Sequence, residues 1–98
     1  MNEELMLRQN VLYCRGGSMP LGPVHHAMVM MLKANPGGMT TKGMQDRTGQ
    51  TLQSTQVEIY YLQKKLAKVG WTVKNIGCKG RGMALYILAK EGGLNAHV

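Results

Sequence analysis

The side chains whose types and spacing could do chemistry are gathered in the second half of the chain. One run reads Val57-Glu58-Ile59-Tyr60-Tyr61-Leu62-Gln63-Lys64-Lys65-Leu66-Ala67-Lys68-Val69-Gly70-Trp71, and Lys79-Gly80-Arg81-Gly82 follows it. If Ile59, Leu62 and Leu66 face a core, then Gln56, Tyr60, Gln63 and Lys64 project from the other side of the same helix. A glutamine amide can pair bidentately with adenine and a lysine can donate to guanine. A tyrosine can reach phosphate or pack on a thymine methyl. Lys79 and Arg81 sit between glycines, where a permissive backbone lets a basic side chain approach phosphate or a narrow minor groove. Thr40, Thr41 and Lys42 form a third group, at a helix start whose free N–H groups and dipole favour anions. The chemistry expected is recognition of a nucleic acid, and the bland alternative for each group is a solvated polar face.

The charge distribution agrees with that expectation. Twelve Lys and Arg stand against five Asp and Glu, for a net charge of +7. Residues 1–58 hold five basic against four acidic side chains, whereas residues 59–98 hold seven against one. A positive half favours a polyanionic partner, because each neutralised phosphate releases counterions. Enzyme chemistry has little to stand on: acidic residues are few, no acid/base pair sits in a supporting motif, and no phosphate-cradling glycine loop is present. His25-His26 cannot easily share a metal ion, since adjacent helix positions point about 100° apart, and no third ligand lies at useful spacing. Neither a metal nor a cofactor is expected.

Cys14 and Cys78 lie far apart with no secretory leader before them, which argues against a disulfide framework and for a reducing compartment. They read as a packed thiol and an exposed loop thiol, and Lys79 beside Cys78 leaves a redox-sensing role open. The longest apolar run, residues 28–32, is far short of the roughly 20 residues that span a bilayer, so a soluble cytoplasmic protein is expected. The nine methionines read as adaptable core filler, or as a soft partner surface if several are exposed.

These groups need elements to hold them. With 98 residues the chain fits one domain. Gly22-Pro23 opens a first helix with proline where a missing N–H costs nothing. Val24, Ala27, Met28, Met31 and Leu32 form its apolar face, and Asn35-Pro36-Gly37-Gly38 ends it. Thr40 or Thr41 caps a short second helix through Met44 to Thr48, closed by Gly49 and weakened by about 1 kcal/mol at Gly43. Thr55-Gln56-Val57-Glu58 matches a capping box for a third helix over residues 55–69, with Thr51 as a second cap. Ile59, Leu62, Leu66 and Val69 form its core face, Gly70 ends it, and Tyr61 sits between core and solvent.

A strand over residues 71–76, a glycine-rich turn over 77–82 and a return strand over 83–88 make a hairpin with a basic tip. Before residue 20 the chain is an N-terminal extension, in which Leu5, Met6 and Leu7 suit a helical turn and Val11-Leu12-Tyr13-Cys14 a strand. Residues 93–98 form a loose tail.

Helix, short helix, longer basic helix and basic hairpin, in that order over residues 21–92, resemble the winged helix-turn-helix domain. The fold class expected is therefore α+β, three helices with a C-terminal β-hairpin wing. Val57-Glu58-Ile59-Tyr60-Tyr61-Leu62-Gln63-Lys64-Lys65-Leu66 with Gly80-Arg81-Gly82 is similar to the recognition helix and wing of OmpR-type domains. Tyr61 and Gln63 stand where that family usually carries arginines, and Met83 where it usually has a tyrosine. Leu66-Ala67-Lys68-Val69-Gly70-Trp71 and Tyr86-Ile87-Leu88-Ala89-Lys90-Glu91-Gly92 are similar to the MarR and PadR-like group, although the stretch from Gly49 to Ile59 is longer than those compact units usually allow. The resemblance implies a small stand-alone transcriptional regulator of prokaryotic, phage or plasmid type that binds double-stranded DNA as a homodimer. A protein-interaction module built on the same faces is the second reading. An RNA or single-strand binder is the third, disfavoured by only five aromatic residues.

Overall fold

The computed structural model describes residues 5–77 and 84–90, and within them the chain is an α+β fold of three helices and two small antiparallel sheets. The first sheet comes from the N-terminal residues. Leu5–Arg8 (β1), Val11–Cys14 (β2) and Gly17–Pro20 (β3) pair in the order β1-β2-β3, with Leu7 opposite Leu12 and Leu12 opposite Met19. The helical turn expected over Leu5, Met6 and Leu7 is thus a strand, while the strand expected at Val11 is present. Alternation is the reason: Leu5 and Leu7 point inward with Leu12, Cys14 and Met19, and Met6 points outward. Gln9 and Asn10 turn the first hairpin with φ of 50° and 65°, the left-handed pair that a two-residue hairpin loop requires.

Pro23–Ala34 (α1) starts behind Gly22 and ends at Asn35, whose side-chain amide donates to the Met31 carbonyl at 2.8 Å. Its most buried positions are His25, Met28, Val29, Met31 and Leu32, a stripe shifted from the expected one because α1 packs against both other helices and the second sheet. Val24 and Ala27 lie at the edge of the core. Met39–Thr40 (β4) leads into Thr41–Thr48 (α2), which is capped by Thr40 and closed by Gly49 at φ 75°. The Thr40 hydroxyl accepts from the Gly43 N–H at 3.0 Å, and a Cβ on Gly43 would stand 3.3 Å from that hydroxyl.

Leu52–Ala67 (α3) begins a turn earlier than the capping box implied. Thr51 is the cap and accepts from the Ser54 N–H at 3.0 Å. Thr55 is instead an interior position, fully buried, with its hydroxyl donating to the Thr51 carbonyl at 2.8 Å. Burial decides between the two threonines, because only a helix that already includes residue 55 turns it inward beside Ile59 and Leu62.

Trp71–Asn75 (β5) and Leu85–Lys90 (β6) form the expected hairpin, with Trp71 opposite Lys90 and Asn75 opposite Tyr86. β6 runs on to Lys90, past the expected end, because its register with Trp71 requires it. An unexpected third strand completes this sheet: β4 pairs with β6, giving the order β4-β6-β5. One core joins all the elements, with Leu5 and Leu12 from the first sheet meeting Met28, Leu32, Met44, Leu62, Leu66 and Val73. Three of the methionines, Met28, Met31 and Met44, are core filler, while Met6 and Met30 are exposed. Among the described residues no helix is long and apolar enough to cross a membrane.

Candidate nucleic-acid interface

The face of α3 turned away from Ile59, Leu62 and Leu66 is exposed along the helix, at Gln53, Gln56, Val57, Tyr60, Tyr61, Lys64 and Lys68. At about 100° per residue, Gln53, Val57, Tyr60 and Lys64 lie within about 60° of arc and make the central line of that face. Gln56 lies to one side, where it meets the start of α2. There, Thr40, Thr41, Lys42, Gln45, Leu52, Gln56 and Ala84 line an open concavity of about 240 Å³. The structure thus brings together four of the residues expected from sequence, Thr40 at the end of β4, Thr41 and Lys42 at the start of α2, and Gln56 of α3.

Tyr60 and Lys64 are one turn apart and held as a unit. The Lys64 Nζ stands 5.2 Å from the centre of the Tyr60 ring, a cation–π arrangement, and the Tyr60 and Tyr61 rings are tilted with centres 5.6 Å apart. Tyr61, placed by its sequence between core and solvent, is an exposed residue.

Gln63 differs from its expected role. It is half-buried, and its amide donates to the Val73 carbonyl at 2.7 Å, tying α3 to β5. The expected exposed amide is therefore engaged in holding the helix to the sheet, because the packing of α3 on β5 brings residue 63 over that strand. Lys79, Arg81 and Cys78, with the turn tip around them, lie outside the described residues. At the base of that hairpin, the Asn75 side-chain oxygen accepts from Gly77 N–H at 2.9 Å and Leu85 N–H at 3.3 Å.

Two residues of the exposed face, Gln53 and Val57, were missed in the sequence. Gln53 lay outside the expected helix, and the earlier cap at Thr51 is the signal that would have found it. Val57 falls inside the expected helix, and its signal is the spacing of three positions before Tyr60.

His25, set aside as a metal ligand, has a structural place. It is buried, accepts from the Lys65 Nζ at 3.1 Å through Nδ1, and brings Nε2 to 2.8 Å from the Glu58 carboxylate. The ring thus stands between the Lys65 ammonium and the Glu58 carboxylate, close to the carboxylate at Nε2 but without a well-aligned hydrogen bond there. The Lys65-His25-Glu58 chain clips α1 to α3, and it draws Glu58, the only acid on α3, off the exposed face. Among the described residues ten basic side chains stand against two acidic ones, Asp46 and Glu58. The described Cys14 is half-buried, with its thiol near the Gly17 and Val69 carbonyls. Among the described residues no three His, Cys, Asp or Glu side chains gather as a metal site. Comparison with protein-family models, curated proteins and solved structures finds no match to this chain.

Proposed function

We propose that this chain is a non-enzymatic, cytoplasmic DNA-binding protein of the winged helix-turn-helix kind that regulates transcription. The observation that carries the reading is the open polar and basic face of α3, adjoined by the start of α2. From Gln53 to Lys64 the central line of α3 runs about 16 Å at 1.5 Å per residue, which matches about five base-pair steps of roughly 3.4 Å. In this reading α3 enters the major groove, Gln56, Tyr60 and Lys64 face base edges and flanking phosphates, and Thr40, Thr41 and Lys42 meet a phosphate at the start of α2. Gln63 acts behind the interface as a tie. Lys79 and Arg81 supply cations to the flanking backbone, and no metal or cofactor takes part.

The element order supports the reading. A short helix and a longer one are followed by a hairpin, and β4 joins the segment before α2 to the hairpin strand β6, so that helices and hairpin are held as one unit. A homodimer presents two such helices to half-sites one helical turn apart, which raises affinity beyond what one small module supplies.

A second reading has its own observation. Leu52, Val57, Tyr60 and Tyr61 on α3 are 42–52 % exposed, an apolar content that also suits a protein partner. Binding to a randomised duplex pool over a salt series separates the two, with Lys64→Ala and Lys79→Ala/Arg81→Ala beside the native chain. Salt-sensitive enrichment of a motif, weakened by those changes, supports DNA recognition. Absence of duplex binding at moderate salt rejects it in favour of the protein partner.

A further inference from the structure

We infer that the α3 face reads A·T base pairs in the major groove, with Val57 packing on a thymine methyl and Gln53 and Gln56 pairing with adenine edges. The inference rests on the DNA-binding reading above and goes on to its specificity.

The side chains available at the centre of the face are restricted in kind. Guanine is most often read by a forked arginine or a lysine, and cytosine by a carboxylate that accepts from its amino group. α3 carries no arginine, and its one acid, Glu58, is held beside His25 rather than presented. Its exposed lysines, Lys64 and Lys68, belong to its last turn and the residue just beyond, and Lys64 lies over the Tyr60 ring. The exposed side chains of the first half of the helix are therefore two amides, the Ser54 hydroxyl, which does not discriminate between base pairs, and alkyl groups.

Those groups match one base pair and not the other. Adenine presents an acceptor and a donor side by side, which a glutamine amide satisfies with two hydrogen bonds, and its partner thymine presents a methyl group. Val57 is 42 % exposed in the middle of the face, between Gln53 and Tyr60, where no core contact explains an alkyl side chain. The Gln53 and Gln56 amides, unlike that of Gln63, are not engaged by any described residue, so neither must break a bond to reach a base. Leu52, 49 % exposed, adds a second alkyl group next to Gln56 in the concavity.

The test uses the full chain and needs no variant for its first step. Selection from a randomised duplex pool is expected to return a motif with A·T pairs at the positions facing α3. Replacing thymine by deoxyuridine at those positions removes only the major-groove methyl. It is expected to lower affinity several-fold for the native chain and to leave Val57→Ala unchanged. Gln53→Ala and Gln56→Ala are each expected to reduce the preference for adenine over guanine at one position, by about 5- to 100-fold. Both positions are exposed, and circular dichroism establishes that the variants remain folded. A motif dominated by G·C pairs overturns the inference and leaves DNA binding intact. So does an A·T preference insensitive to deoxyuridine, which assigns the readout to the minor groove or to DNA shape. Absence of duplex binding overturns both this inference and the reading beneath it.

Discussion

Gly16→Ala tests whether the N-terminal sheet is a structural partner of the α3 helix or a dispensable attachment. Gly16 lies in the β2–β3 turn, and a Cβ placed on it would stand 2.5 Å from the Val69 carbonyl oxygen and 2.9 Å from its carbon. Both atoms are backbone, so no rotamer change relieves the contact. Reaching even the 3.0 Å floor of real Cβ contacts requires the two backbones to part by about 0.5 Å. Val69 is the buried residue just past the end of α3, and the Cys14 thiol also approaches its carbonyl, so the strain is transmitted to the seat of that helix. Overpacking of this kind costs about 1–3 kcal/mol, which for a domain of this size lowers Tm by roughly 4–8 °C per kcal/mol.

Urea unfolding followed by tryptophan fluorescence is a direct assay, because Trp71 lies two residues beyond Val69 and packs against the core. Gly37→Ala is the control: nothing lies within 4 Å of its Cβ, so the change is expected to be neutral or slightly stabilising. A Gly16→Ala midpoint equal to that of the native chain would show that the turn does not press on Val69, and the docking of the first sheet would have to be abandoned.

Three other outcomes follow from the same structure. With Lys42, Lys64, Lys68, Lys79 and Arg81 each neutralising one phosphate, log Kd should vary with log salt with a slope of magnitude about 4.5 per protomer. That is roughly a 500-fold loss of affinity between 50 and 200 mM, and a titration of Lys79→Ala/Arg81→Ala should give a slope of about 2.7. Gln63→Ala should cost about 0.5–1.5 kcal/mol of stability in chemical denaturation by freeing the Val73 carbonyl, whereas exposed Gln56→Ala should leave the denaturation midpoint unchanged and weaken DNA binding. His25→Leu removes the link between Lys65 and Glu58 and should lower the unfolding free energy in chemical denaturation by about 1–3 kcal/mol, a partial loss because Glu58 remains 31 % exposed and retains water.

Much of the fold was legible wherever it depends on residues a few positions apart. Pro23 at a helix start, Asn35-Pro36 at its end, Gly49 past α2 and Gly70 past α3 mark boundaries by backbone geometry alone. The strand at Trp71 and its return were visible as β-branched and aromatic residues around a glycine-rich turn. The first strand was not, because three apolar residues in a row suit a helical turn as well as a strand until a partner strand fixes which face each takes. On the exposed face of α3, Gln56, Tyr60 and Lys64 were legible from the helical period, whereas Gln53 was not, since the caps at Thr51 and Thr55 are chemically equivalent.

The amino-acid sequence by itself determined the three helices, the C-terminal hairpin and the excess of positive charge, all of which follow from local hydrogen bonding, side-chain period and composition. Only the tertiary structure decided that β4 joins β6, that Thr55 is core, that the Gln63 amide holds β5, and that His25 gathers Lys65 and Glu58 away from the exposed face. Each of those outcomes depends on a partner ten to more than forty positions away or on which face is covered. A residue's type states what bonds it can make, but the packing of the chain states which of them are already used.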